Sequence, residues 1–223
     1  MKICIDLTSL ADHFSGVERY GATLAETLIR ENKVNCILLF KGRVHPFFWV
    51  YEKHPRVRTL VLPDCGSKVL FNQVTLFQAL CKIKADAYLF PAFPMPVLLR
   101  KRNCFTVIHD VACFDVPSTM RFFQRMYYVV SRLHEAASAK QVLTISEFSR
   151  KRIIHKLPLK NPEVANVSCG IDDRYIFYRK NEHVIEKARK KYRIPEEYIF
   201  CFYVYRMSPA IRAFELFAEP SSC

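Results

Sequence analysis

The sequence predicts an α/β fold: a doubly wound, mostly parallel, Rossmann-like sheet with helices on both faces. Short apolar runs of the kind that form buried strands alternate along the chain with segments of helical periodicity. Continuous apolar runs such as VNCILLF (34–40) are typical of parallel strands that are covered on both faces. Only 5 of the 223 residues are glycine, which disfavours a turn-rich β-sandwich or barrel.

The alternation begins at the N-terminus. KICIDL (2–7) is a short apolar strand, and the segment from Gly16 to Glu31 places apolar residues at helical spacing. The later predicted elements are strands at 34–40 and 57–62, a helix at 67–84, strands at 87–91 and 104–110, a helix at 118–140, a strand at 141–145, a helix at 146–157 and a strand at 163–169. A charged helix at 181–194 and a strand at 198–205 follow.

Composition and charge narrow the classes of partner. Hydrophobic residues make up 51% of the chain, so a packed core is expected. The formal net charge of +13 favours an anionic partner, although a basic protein with no such partner explains it equally well. Nucleic acid is not expected, because the basic residues are dispersed and no nucleic-acid-binding motif is present.

Targeting features and cysteines predict a cytoplasmic protein. The N-terminus lacks the apolar core of a signal peptide, and no apolar run reaches the roughly 18 residues of a membrane span. The nine cysteines contain no CxxC pair, so a zinc site is not expected. The cysteines in or beside apolar strands are expected to be reduced and buried, namely Cys4, Cys36, Cys104 and Cys169.

His109 and Asp110 are the strongest candidates for a site. They lie in TVIHDVACFDVP (106–117), at the carboxyl end of a predicted strand, where open α/β sheets bind their ligands. A histidine there can donate to a sugar hydroxyl or a phosphate oxygen, and an adjacent carboxylate can orient it or accept hydroxyls. A structural histidine that closes the strand end is equally compatible with the residues.

Two further strand ends carry candidate residues. Gly16 opens a helix after the first strand, where backbone amides can receive a phosphate, although a plain turn residue is the alternative. The G-x-G-x-x-G fingerprint is absent, so a dinucleotide site is not supported. Ser146 is a good helix N-cap that could also bind a polar acceptor, and Arg150 begins a basic cluster that could instead be a solvated helix face.

Four stretches in this order resemble one known family: MKICIDLTSL…FSGVERYGATLAETL, TVIHDVACFDVP, VLTISEFSRKRI and EVANVSCGIDDRY. They resemble the N-terminal half of GT-B fold glycosyltransferases of family 4, over residues 1–180. The resemblance implies two Rossmann-like domains that face each other across a cleft. It implies retaining transfer of a sugar from a nucleoside-diphosphate sugar to a saccharide or lipid-linked acceptor, without a metal or other cofactor.

The resemblance also assigns roles to the candidate residues. His109 and Asp110 would be catalytic and face the donor sugar. Gly16 would approach the donor diphosphate, and Ser146 and Arg150 would border the acceptor or the cleft. Some relatives act at membrane surfaces, so the helix at 118–140 and the net charge admit peripheral contact with the inner face of the membrane. For the apolar face of that helix, formed by Phe122, Met126, Val130, Leu133 and Ala137, packing against the sheet is the expectation.

The chain departs from the family pattern after residue 180. Residues 181–197 are expected to form a linker helix, and residues 198–223 a truncated or aberrant start of a second domain. This part of the chain lacks three features of the family's donor domain: the glycine after its first strand, the Arg/Lys pair and the Glu-x7-Glu motif. We therefore expect an acceptor-side half that is inactive alone, with a separate C-terminal-half protein as a partner. A non-catalytic module that binds an acceptor, a membrane or a partner is the alternative, and an unrelated flavodoxin-like protein is a third.

Overall fold

The chain divides into two compact units, Met1–Gly170 and Ile171–Cys223. The computed structural model describes residues 1–101, 103–170 and 181–195. The predicted strand at 198–205 and the predicted domain limits at 180 and 197 lie outside the described residues, so these remain predictions. In the second unit the described part contains one helix, Glu182–Tyr192, which is capped by the Asn181 side chain.

The first unit contains a seven-stranded, all-parallel sheet with the strand order β3-β2-β1-β4-β5-β6-β7. The strands are β1 (Lys2–Asp6), β2 (Asn35–Lys41), β3 (Val57–Leu62), β4 (Ala87–Phe90), β5 (Cys104–Val107), β6 (Gln141–Thr144) and β7 (Val164–Asn166). The order reverses between β1 and β4, the point at which open α/β sheets form a ligand crevice. The prediction of a doubly wound, Rossmann-like sheet is confirmed.

Helices connect the strands. They are α1 (Gly16–Arg30), α2 (Lys68–Leu70), a π-helical stretch (Phe71–Leu76), α3 (Phe77–Lys82), α4 (Ala112–Asp115), α5 (Phe122–Ser138) and α6 (Glu147–Lys156), with 3-10 turns at Pro46–Tyr51 and Pro117–Thr119. We number the helix of the second unit α7. The segments α2, π and α3 follow one another without interruption as one helix. The 3-10 turns and α4 were not predicted, because such short segments leave no periodic pattern.

Alternate residues of the strands face opposite sides of the sheet, and helices cover both sides. On one side α1 buries Ala22, Ala25 and Ile29 against Ile5 and other strand residues of the same cluster. The helix from Lys68 to Lys82 packs on the opposite side, through Leu76 and Leu80. Helices α5 and α6 pack against the β6–β7 half of the sheet. The core is therefore layered, as the apolar strands require.

Helix α5 packs in the orientation opposite to the one expected. Its buried residues are Ser131, Arg132, Glu135 and Ala136. The face predicted to pack on the sheet is exposed instead: Phe122, Met126, Val130 and Leu133 are 67%, 43%, 48% and 37% exposed. The prediction for this face is wrong, because Glu135 is anchored inside the fold by hydrogen bonds that an apolar side chain could not make.

The cysteines follow the prediction with one exception. Cys4, Cys36 and Cys104 are buried, whereas Cys169 is exposed, so its predicted burial is wrong. All seven cysteines of the described residues are free thiols. Within the same residues, none of the helices combines the length and the apolar composition that a membrane crossing requires.

Candidate functional site

His109 lies just beyond the carboxyl end of β5. The Ile108 amide donates to the Leu143 carbonyl and so extends the pairing of β5 with β6 by one residue. The His109 Nε2 lies 2.8 Å from the carbonyl oxygen of Pro91, which follows β4. A carbonyl only accepts, so Nε2 carries the hydrogen of this bond. In the neutral ring Nδ1 is then an acceptor, and the described residues provide it with no hydrogen-bond donor.

The surroundings of His109 favour its neutral form. Burial lowers the pKa of His109 below its ordinary value of 6.5, and the charge of Arg132 acts in the same direction. The hydrogen bond to Pro91 and the charges of Asp110 and Glu135 oppose this shift without cancelling it. The ring also packs edge-on against Tyr20, with 5.2 Å between the ring centroids. The imidazole is therefore an oriented, uncharged group at neutral pH.

A cavity of about 300 Å³ opens beside His109. Its walls come from the start of α1, the loop after β4, the loop after β5 and helix α5; the polar residues among them are Ser15, His109, Asp110, Gln124, Tyr128 and Arg132. Asp110 is exposed, and its carboxylate accepts a hydrogen bond from the amide of Ala112 at the start of α4. The cavity thus brings His109 and Asp110 next to Ser15, the residue that precedes Gly16.

Gly16 is the first residue of α1. The Ser15 hydroxyl accepts from the Glu18 amide, and the Glu18 carboxylate accepts from the Ser15 amide, so the helix begins with a capping box. Apart from its chain neighbours and the backbone of its own helix, nothing lies within 4 Å of the position that a Gly16 Cβ would take. Packing therefore does not require glycine here, and the space beside the helix start is open.

Gly21 makes a close approach one turn further along α1. A Cβ at Gly21 would lie 3.3 Å from Cγ of Pro91. Pro91 is the residue whose carbonyl accepts the hydrogen bond from His109. The missing side chain of Gly21 thus lets α1 pack directly on the loop that orients the imidazole.

Ser146 and Arg150 lie outside this cavity. The Ser146 hydroxyl caps α6 by accepting from the Ser149 amide at 3.1 Å. Arg150 makes two hydrogen bonds to Glu147, at 2.8 and 2.7 Å, on the helix surface. The start of α6 reaches His109 through a different residue, because the Ser149 hydroxyl donates to the His109 carbonyl at 2.8 Å.

Arg132 and Glu135 form a buried ion pair at the cavity wall, which the sequence analysis did not identify. Arg132 is 7% exposed, and its Nη1 lies 2.7 Å from the Glu135 carboxylate. The other carboxylate oxygen accepts from the Met95 amide and from the Thr106 hydroxyl. Charged residues three apart on a helix normally face solvent, so no signal in the sequence marked this pair.

A second cavity, of about 510 Å³, lies beyond the carboxyl ends of β1 and β2. Aromatic and polar side chains line it together, including Asp12, Lys41, Arg43, Lys68, Asn72 and Phe93. Arg43 pairs with Asp12, and the Lys41 ammonium lies 3.5 Å from Asp64. Phe93 lines this cavity and the one beside His109. Apolar faces with a few fixed polar groups are what a small polar ligand requires.

No group of three or more metal-ligating side chains occurs among the described residues. Comparison of the chain with protein-family models finds no matching family, and a comparison with curated protein sequences finds no match. The geometry of the two cavities is therefore the basis for any functional assignment.

Proposed function

We propose that the unit Met1–Gly170 is the acceptor-side half of a retaining glycosyltransferase of the GT-B type. The whole enzyme would transfer a sugar from a nucleoside-diphosphate sugar to a saccharide or lipid-linked acceptor. The observation that carries this proposal is the neutral His109, whose Nδ1 is a free acceptor at the carboxyl edge of the sheet. Its cavity adjoins the start of α1, where the space beside Gly16 is open and the capping box uses only the Glu18 amide of the first helical turn, so the preceding helix amides can receive a phosphate.

The proposal gives each candidate residue a hydrogen-bonding role toward the donor or the acceptor. His109 accepts a hydrogen bond from a hydroxyl of the donor sugar, and the exposed carboxylate of Asp110 accepts another. The amides at Gly16 approach the diphosphate. The larger cavity receives the acceptor. The acceptor hydroxyls would contact Asn72 and the charged residues that line this cavity.

A facing domain would complete the cleft. The diphosphate carries more negative charge than the walls of the His109 cavity neutralise, since Arg132 is already paired with Glu135. The proposal therefore includes a donor domain in the same assembly. A separate C-terminal-half protein is one partner that could supply this domain. Ser146 and Arg150 would border the cleft on the α6 side.

A non-catalytic binding module is the second candidate. The exposed apolar face of α5 favours it, because such a face on a well-packed domain usually marks an interaction surface. Turnover of a nucleotide sugar distinguishes the two candidates, because a glycosyltransferase in its complete assembly would catalyse it and a binding module would not.

Donor binding provides the test. Nucleoside-diphosphate sugars are titrated into the 223-residue chain and followed by saturation-transfer NMR, with the matching nucleoside monophosphates as the comparison. We expect contact with the sugar protons, and roughly tenfold weaker binding for His109→Ala, since one lost hydrogen bond to a bound ligand is worth about that factor. The control His155→Ala removes an exposed imidazole on α6 and should leave binding unchanged. Equal binding by His109→Ala and the parent chain would contradict the assignment.

A further inference from the structure

A third cavity, which we call the basic depression, lies at the edge of the sheet opposite to His109. Its volume is about 480 Å³, and the residues that line it include Lys2, Lys84, Asp86, Tyr88, Lys101 and Asn103. Lys2 begins β1, residues 84–86 precede β4, and Lys101 and Asn103 precede β5. These strands are neighbours in a parallel sheet, so the depression lies at their amino ends. It shares no lining residue with the two cavities at the carboxyl ends.

The basic depression has an excess of positive charge. Three of the residues that line it are lysines, Lys2, Lys84 and Lys101, and one is acidic, Asp86. The Asp86 carboxylate accepts a hydrogen bond from the backbone amide of Lys2 at 2.7 Å. None of the three lysines forms an ion pair with another described residue. Lys2 and Lys101 do not compensate a helix dipole either, because neither lies at the end of a helix.

The buried ring of Tyr88 holds one side of the depression in place. The Lys101 ammonium lies 5.1 Å from the centroid of this ring and donates to the Ile83 carbonyl at 3.4 Å. The Tyr88 hydroxyl donates to the same carbonyl at 2.6 Å and accepts from the Ala85 amide at 3.2 Å, which fixes the turn before β4. Burial raises the pKa of Cys104 to about 11, and the charge of Lys101 acts against this shift. Lys101 is therefore a half-buried cation in a fixed position.

We propose that the basic depression binds a small, soluble anion of the phosphate class, such as pyrophosphate or a phosphate ester. Ammonium groups are compact charges with rotatable donors, so they suit the tetrahedral oxygens of a phosphate, whereas planar carboxylates are better matched by arginine. A cleft lined by charges of one sign concentrates ions of the opposite sign. A depression of this volume receives one small ion, whereas nucleic acid requires an extended basic surface.

This site does not depend on sugar transfer, because it lies at the opposite edge of the sheet from the His109 cavity. Pyrophosphate could also bind at the start of α1, where the proposed function places the donor diphosphate. NMR that resolves individual amides separates the two sites. Residues 16–18 report on the start of α1, and residues 84–86 with Asn103 report on the basic depression. The failure of one proposal is thus distinguishable from the failure of the other.

Titration of pyrophosphate into the isotope-labelled full chain, at constant ionic strength, tests the proposal. We expect saturable shifts of the amides of residues 84–86 and Asn103. Lys84→Gln with Lys101→Gln should weaken this binding at least about tenfold, because charge-assisted hydrogen bonds are lost. Lys53→Gln with Lys151→Gln is the matched control, because it removes the same charge from exposed lysines elsewhere and should bind as the parent chain does.

Three results would overturn the proposal. The first is the absence of saturable shifts at residues 84–86, and the second is equal weakening by the two double variants, which would show diffuse attraction by net charge. The third is equally tight binding of citrate, a carboxylate ion of similar charge, which would exclude the phosphate class. The dispersion of the amide spectrum confirms the fold of each variant. Lys84→Gln alone changes an exposed side chain and should still lose roughly threefold, the size of one exposed ion pair.

Discussion

At the scale of single residues, His109 is held by three separate parts of the fold. Pro91 accepts from Nε2, Tyr20 packs against the ring, and Ser149 binds the backbone carbonyl. These contacts orient the imidazole, and none of them involves Nδ1. His109 also lines an open cavity of about 300 Å³, and the proposed function depends on this cavity.

The half-buried imidazole of His109 predicts a specific pH dependence of stability. Because the pKa of His109 is lowered in the folded state, the unfolded chain binds a proton first as the pH falls through the ordinary value of 6.5. The free energy of unfolding should therefore decrease on acidification through this value. His109→Gln should reduce the slope without removing it, because burial also lowers the pKa of His134. Urea denaturation at a series of pH values measures the slopes.

Direct NMR titration of the His109 ring checks the same point. The expected midpoint lies below 6.5. A midpoint at or above that value would mean that burial does not dominate the surroundings of the ring, and the neutral acceptor of the proposed function would lose its basis.

At the scale of elements, helix α5 shows how a polar contact can decide which face of a helix is buried. Its apolar residues and its Arg132–Glu135 pair lie on opposite sides, and the pair is the side that enters the fold. Glu135 joins α5 to β5 through Thr106 and to the loop after β4 through Met95. These two bonds go to one carboxylate oxygen and the Arg132 guanidinium binds the other, so both oxygens are satisfied, which is the condition for burying such a group.

Removal of one partner of the buried pair should be strongly destabilising. Glu135→Ala leaves the guanidinium of Arg132 buried without its carboxylate, which typically costs about 3–5 kcal/mol of the free energy of unfolding. Glu147→Ala, which breaks the exposed pair with Arg150, is the matched control and should change stability little. Urea denaturation at neutral pH compares the two variants. Similar losses for both would show that the buried pair does not anchor α5.

At the scale of the whole molecule, the parallel sheet and its two helical layers determine which side chains solvent reaches. Four thiols of the described residues lie inside: Cys4, Cys36, Cys104 and Cys113. Burial raises the pKa of each, to about 11 for Cys104, so these thiols are protonated at neutral pH as well as shielded. Cys65, Cys81 and Cys169 are exposed.

Thiol labelling should therefore report the integrity of the core. Under native conditions iodoacetamide should modify Cys65, Cys81 and Cys169 first, and the four buried thiols only as the domain unfolds. Mass spectrometry of the peptides, with and without urea, identifies each site. Rapid native labelling of Cys104 would contradict the packing between β4 and β5, since Cys104 is 0% exposed there.

The sequence by itself determined the α/β class, the seven parallel strands of the first unit and the position of His109 at a strand end. These features depend on local apolar periodicity and on the rule that parallel strands align their carboxyl ends, so they can be predicted without coordinates. Only the tertiary structure decided which face of α5 is buried and which residues share the cavity of His109. Both depend on contacts between distant segments, such as Glu135 with Thr106 and His109 with Pro91, and a local pattern contains no information about such partners.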